Sequence, residues 1–291
     1  MRLLKSFLAR SAICFFLSSP LTHAAVLPAG SGHFLFANDA VSPGRPVSVW
    51  YYKPASLDSR VKVMIVMPGA DRRGDQYRDQ WIGHAEKHKL LVVVPEFADK
   101  YFSIDEYQFG NVTDPRREHW LFRTIEHLFD DLRRRDGLAV GKYYLFGHSA
   151  GAQFVHRFML FMPTSRVDIA FAANAGAYSM PVYASSPASA FPMRLDPALV
   201  SEQQRDAVFA RRLVVMLGEE DIDPESEGLP RSPEAMEQGK NRYERGQAFF
   251  RLAQRQAAAR RVPFRWKLLS VPRVGHSNAE MSDAAVRYLF E

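Results

Sequence analysis

One serine stands out by its neighbours: Gly147-His148-Ser149-Ala150-Gly151 separates a short apolar run, Tyr143 to Phe146, from a segment of helical periodicity. A glycine two residues either side of a serine, at the point where a strand turns into a helix, lets the chain bend sharply enough to leave the hydroxyl exposed. The serine backbone in such a turn is strained, and Gly147 and Gly151 remove the side chains that would collide there. A serine hydroxyl does not ionise at neutral pH, so it becomes a nucleophile only when a base takes its proton. The spacing predicts Ser149 as that nucleophile. It also puts the backbone N–H of Ala150, at the head of the helix, where it can face a developing oxyanion.

The base and its partner must come from elsewhere in the chain. His276, in Val274-Gly275-His276-Ser277, follows the last expected strand and sits on a loop that can overhang the sheet. His148 and His156 lie on the serine's own turn and helix and point the wrong way for this role. His84 and His88 are four apart on an expected helix and could share a metal; with no third ligand nearby, they read as solvent-facing residues. The acid is expected after the strand Leu213 to Leu217, in Gly218-Glu219-Glu220-Asp221-Ile222-Asp223-Pro224. A buried carboxylate there would hold the imidazole in one tautomer and stabilise its charged form. Asp221 is preferred, with Asp223 as the alternative, and Glu219 and Glu220 read as surface residues. A second oxyanion donor is expected from Met67-Pro68-Gly69-Ala70, through the N–H of Ala70.

These groups need a scaffold that brings them to one edge. Apolar runs rich in β-branched residues, at Val61 to Met67, Leu90 to Val94, Ile169 to Asn174 and Leu213 to Leu217, read as buried strands. Two more strands are expected at Gly32 to Ala40 and Val47 to Lys53, and another at Phe264 to Val271. Helices are expected over about Tyr77 to His88, Glu118 to Arg135, Asn241 to Arg260 and Asn278 to Phe290. The alternation predicts an α/β fold with a mainly parallel central sheet and helices on both faces. Residues 178–210 break the rhythm with four prolines and read as a cap-like insertion, closed by a short helix near Asp196 to Ala210.

The first 24 residues read as a signal peptide. Arg2, Lys5 and Arg10 precede a short apolar stretch, Ser11 to Leu17, and Thr22-His23-Ala24 offers small residues for cleavage near Ala24. That stretch is too short to span a bilayer, so no stable membrane anchor is expected. The protein is expected to be secreted or periplasmic, with residues 25–291 as one domain. Cys14, the only cysteine, falls in the leader, which leaves no disulfide, thiol nucleophile or cysteine metal site. The net charge of +6 includes three leader cations, which leaves +3 and gives no reason to expect a nucleic-acid partner.

Taken together, the elbow, the oxyanion-loop segment and the order Ser149, Asp221, His276 resemble the α/β-hydrolase superfamily. Within it, Pro68-Gly69-Ala70 with Tyr77-Arg78-Asp79-Gln80-Trp81, and Asn174-Ala175-Gly176-Ala177-Tyr178, resemble secreted bacterial serine esterases of the polyhydroxybutyrate depolymerase and feruloyl esterase type. The resemblance implies a carboxylic ester hydrolase acting through an acyl-enzyme, with no metal or organic cofactor. Many relatives carry a histidine where Pro68 stands. The linker and surface-binding module common in extracellular polymer depolymerases are absent from this sequence, which points to a soluble or short-chain ester.

Aromatic residues on the two irregular segments, Tyr101, Phe102, Tyr107 and Tyr178 among them, are candidates for the substrate pocket. A peptidase or acyltransferase would share the same machinery. A catalytically silent, ligand-binding version of the fold is the reading from a different class.

Overall fold

The computed structural model describes residues 25–37, 39–185 and 191–291. The expected leader, residues 1–24, and part of the expected insertion lie outside the described residues. Eight strands form one sheet, in the order β1-β2-β4-β3-β5-β6-β9-β10. They are β1 (Gly30–Phe36), β2 (Val47–Lys53), β3 (Lys62–Met67), β4 (Leu90–Glu96), β5 (Tyr143–His148), β6 (Val167–Ala173), β9 (Leu213–Gly218) and β10 (Lys267–Val271). The β1-β2 and β2-β4 pairs are antiparallel, and the others are parallel. A parallel sheet covered on both faces has no wet side, and β3, β4, β5 and β9 are buried along nearly their whole length.

Helices α1 (Gly74–Gln80), α2 (Ile82–His88) and α9 (Asn278–Phe290) cover one face, and α4 (Phe122–Asp136), α5 (Ala150–Phe161) and α8 (Arg242–Ala259) the other. In α4, Phe122, Ile125, Leu128, Phe129 and Leu132 recur at helical spacing and are all buried. Gly137, in the left-handed conformation at φ 60°, then ends the helix. Shorter elements lie between: α3 (Ile104–Phe109), β7 (Met180–Tyr183), β8 (Arg194–Leu195), α6 (Glu202–Phe209) and α7 (Pro233–Met236), with β7 and β8 paired as a separate small sheet.

Several expectations shift. The single helix expected over Tyr77 to His88 is two helices, broken at Trp81, whose fully buried ring packs edge-on against Phe146 of β5 at 5.2 Å. β1 stops at Phe36 rather than Ala40. Beyond it, the buried Asp39 carboxylate accepts from Val41 N, Thr124 and His127 and draws the chain onto α4. β4 runs through Pro95, which lies past the last β3 partner, Ile65 opposite Val93, where a missing N–H costs nothing on that side. The segment after β4 contains α3, fixed at its start by a reciprocal cap between Ser103 and Glu106. Among the described residues, no helix is long and apolar enough to cross a membrane.

Candidate active site

Ser149 occupies the turn between β5 and α5 with φ 56° and ψ −116°, a backbone state that L-residues rarely adopt. Strain of this kind costs about 1–3 kcal/mol and persists only where neighbours enforce it. Here the N–H of Ser149 donates to the carbonyl of Ala173 at 2.9 Å, and the Ser149 carbonyl accepts from Gln153 N at 3.1 Å. The backbone of Met67 and Pro68 presses on the turn. A β-carbon at Gly151 would stand 2.0 Å from the carbonyl oxygen of Met67, and one at Gly147 would stand 2.3 Å from that of Gly151. Ser149 keeps part of its surface open, while Ala150 is buried as the first residue of α5, among the N–H groups that have no partner within the helix.

The strand that leads to the acid and the loop that carries the histidine are joined by backbone contacts. Glu219 N donates to Val271 O at 3.1 Å and Glu220 N to Val274 O at 2.9 Å. The approach is so close that a β-carbon at Gly218 would lie 2.5 Å from the carbonyl oxygen of Val274. In this frame Nδ1 of His276 meets Oδ2 of Asp221 at 2.7 Å. The Asp221 side chain is 4% exposed and that of His276 31%, a buried carboxylate behind an imidazole open to a reactant. The ring of His276 lies 4.5 Å from that of His148, the residue before Ser149. Asp223 is exposed, and its carboxylate accepts from Glu225 N instead. Glu219 and Glu220 are exposed as well.

Three polar residues to which the sequence assigned no role complete this frame. Asn174 follows β6 in the left-handed region at φ 54°. Its Oδ1 accepts from Gly218 N at 2.8 Å and its Nδ2 donates to Gly275 O at 2.9 Å, so one amide joins the acid strand to the histidine loop. Arg242, in the first turn of α8, is buried and donates to Asp221 Oδ1 at 3.4 Å, to Ser226 Oγ at 2.5 Å and to Glu227 O at 2.9 Å. Arg245, one turn on, is also buried and donates to Gly176 O at 2.6 Å and Gly239 O at 2.9 Å. A positive-φ asparagine at a strand end is a signal that sequence could carry. The two arginines on α8 look like any surface cations.

Of the four aromatic pocket candidates, three need correction. Phe102, Tyr107 and Tyr178 have no exposed surface. Phe102 packs edge-on against Phe97 at 5.2 Å, and Tyr178 stacks on Phe249 at 4.5 Å. The Tyr107 hydroxyl donates to Pro68 O at 2.7 Å, and burial pushes the phenol well above its usual value, so it stays a donor. Long irregular segments need apolar anchors of this kind, and these rings serve as anchors rather than as a substrate surface. Tyr101 is half-buried. Ala70 is exposed on its loop, next to Gly69, whose β-carbon position is 3.8 Å from Cβ of Ser149. His84 pairs with Asp283 at 2.8 Å while His88 stacks on Phe290 at 4.3 Å, so these two histidines face different neighbours.

An eight-stranded, mostly parallel sheet with a strained serine at the head of the helix after a central strand defines an α/β-hydrolase. No protein-family model matches the chain, and no curated protein does. Solved structures do. Poly(aspartic acid) hydrolase-1 from Sphingomonas sp. KT-1 is 37% identical over 91% of this chain and 100% of its own, with a TM-score of 0.85. LpqC, a poly(3-hydroxybutyrate) depolymerase from Bordetella parapertussis, is 32% identical over 90% of each chain, with a TM-score of 0.84. The fluorophosphonate-binding serine hydrolase FphF of Staphylococcus aureus, 14% identical over 90% of this chain and 98% of its own, with a TM-score of 0.55, shares the fold. The chain belongs to the esterase- and depolymerase-like α/β-hydrolases, and it is a hydrolase of that type.

Proposed function

We propose that the protein is a serine carboxylic ester hydrolase that works through an acyl-enzyme on a soluble or short-chain ester. The observation that carries this is the 2.7 Å contact of His276 with a buried Asp221 beside the strained turn at Ser149. Nε2 of His276 takes the Ser149 proton as the hydroxyl oxygen attacks the ester carbonyl. The N–H groups of Ala150 and Ala70 hold the oxyanion, and removing one such donor typically costs about 3 kcal/mol in barrier. His276 then protonates the leaving alcohol. Water attacks the acyl-enzyme with His276 again as base, releasing the acid and restoring Ser149. Every proton in this cycle is carried by the chain's own groups.

A second substrate class is favoured by a specific observation. The relative at 37% identity is described as a poly(aspartic acid) hydrolase, and the same nucleophile and base can cleave an amide. Two buried guanidiniums in this chain, Arg157 and Arg245, bond to neutral oxygens: Arg157 to Ser179 Oγ and to Gln153, Arg245 to backbone carbonyls. Burial pulls the Arg157 guanidinium down to about 9, which leaves it charged at neutral pH. Both are fully buried, so they act on an anionic chain only through the long-range field and not by contact.

Turnover of a nitrophenyl acyl ester, an aminoacyl anilide and poly(aspartic acid) by the leaderless protein separates these readings. Ester turnover alone supports the first, release of aspartyl fragments supports the second, and no turnover of any of them contradicts both. The protein is further proposed to be exported to the periplasm or beyond after cleavage near Ala24, and residues 178–210 to act as a cap over the alcohol or acyl side.

A further inference from the structure

His148 stands directly before Ser149 in the elbow, is 4% exposed and meets both halves of the site. Its Nδ1 is 3.1 Å from the hydroxyl of Tyr77, and its ring packs against that of His276 at 4.5 Å with the planes tilted by 41°. Its Nε2 is buried without a hydrogen-bonding partner among the described residues. Leaving a buried imidazole nitrogen unpaired is unfavourable, so an apolar side chain here would be cheaper for folding alone. Tyr77 continues the connection on the other side. The position of a β-carbon on Gly69 is 2.7 Å from the Tyr77 hydroxyl oxygen and 3.8 Å from Cβ of Ser149. Burial pushes the phenol up to about 12, with the Gly69 N–H offsetting part of the rise, and Tyr77 therefore keeps its proton across the working range. Burial, with His276 and Arg242 nearby, holds His148 well below its ordinary value, and the ring is neutral.

The Tyr77 hydroxyl sits against Gly69 on one side and is bonded to Nδ1 of His148 on the other, where it donates when the imidazole carries its proton on Nε2. We propose that Tyr77 and His148 form a relay that positions the reaction, tying the oxyanion loop at Gly69 to the ring face of the base His276. The carbonyl of Pro68 is held independently by Tyr107, so the loop is pinned from both sides and Tyr77 sets its position relative to the base. A shift of about 1 Å between an oxyanion donor and a base can cost on the order of a hundredfold in rate. The relay rests on the acyl-enzyme reading above and adds two positioning residues to it.

The test uses Tyr77→Phe, His148→Leu, His148→Asn and the double variant Tyr77→Phe/His148→Leu, with kcat and KM measured on a nitrophenyl acyl ester. Tyr77→Phe removes one oxygen and is expected to lower kcat by about ten- to a hundredfold with KM within about twofold. His148→Leu is expected to match it, and the double variant to be no worse than the weaker single, because one connection is being cut twice. His148→Asn, which keeps a polar atom near the place of Nδ1, is expected to recover most of the rate. A kcat for Tyr77→Phe within twofold of wild type overturns the relay, and so do losses that multiply in the double variant. Should His148→Leu fail to fold, Tyr77→Phe and His148→Asn still decide. If the wild-type protein does not turn over the ester or label with a fluorophosphonate, it is the esterase reading that fails, and the two failures are distinguishable.

Discussion

Arg242 Nη1 lies 3.4 Å from Oδ1 of Asp221, and the two side chains are 3% and 4% exposed. The carboxylate is thus held on one side by His276 and on the other by a guanidinium that also grips Ser226 and Glu227. Removing one partner of a buried pair costs about 3–5 kcal/mol where the other charge is left unpaired, and His276 still holding Asp221 puts the expected loss at or below the lower end. Arg242→Met is expected to lose stability on that scale in urea unfolding. It is also expected to lose activity, because the loop from Glu219 to Asn241 would no longer fix Asp221. A variant with wild-type stability would contradict this.

Asn174 joins the strand that ends just before Asp221 to the loop that carries His276. Asn174→Ala removes both bonds and leaves Gly218 N and Gly275 O without their partners, at about 1–3 kcal/mol for each buried group left unpaired. The expected outcome is a drop in kcat/KM of about tenfold or more, with a lowered melting temperature. Asn174→Asp, which can still accept from Gly218 N, is expected to fall between. Kinetics and thermal unfolding of both variants check the order.

Gly151 faces the carbonyls of Met67 and Pro68 with no room for a methyl group. Gly151→Ala forces the oxyanion loop off the elbow, and overpacking of that kind costs about 1–3 kcal/mol or more. Activity is expected to fall further than stability, since the loop that moves is the one that carries Ala70. Equal losses in wild-type-like proportion, or none, would show that the loop is not so closely seated.

Two buried histidines set the acid side of the stability curve. Burial holds His148 and His156 well below the ordinary imidazole value. His156 is fixed as a neutral ring, donating from Nδ1 to Ala152 O and accepting at Nε2 from Ser179 N. The unfolded chain therefore binds more protons than the folded one below about pH 6.5, and stability falls as pH drops through that window. Each group contributes a slope of up to about 1.4 kcal/mol per pH unit. Urea unfolding between pH 7 and 5 is expected to show this decline, and His156→Gln to flatten it. A curve unchanged by that substitution would exclude His156 from the effect.

Much of this site was legible in the sequence because tight turns leave few residue choices. Gly147 and Gly151 announced the elbow, and the buried strands announced themselves as unbroken apolar runs. The preference for Asp221 over Asp223 came from its distance to the glycine that ends β9, and in the structure it is Asp221 that faces His276. What sequence hid were contacts made across long separations. Arg242 and Arg245 carry the same symbol as the exposed Arg251, yet their burial follows from the path of the loop they hold. Aromatic residues misled for a related reason. Phe102, Tyr107 and Tyr178 sit on irregular segments at the edge where ligands bind, and the same segments need anchors in the core. Which face an aromatic side chain takes is decided by packing against Phe97, Phe154 and Phe249, the last two distant in the chain from the rings they meet.

Activation of the Ser149 hydroxyl by His276 and Asp221 is tested by treatment with a fluorophosphonate, followed by peptide mapping of the adduct by mass spectrometry. A single adduct on Ser149 is expected, abolished in Ser149→Ala and slowed by at least about a thousandfold in His276→Ala. An unlabelled wild-type protein, or an adduct on a residue other than Ser149, would contradict it.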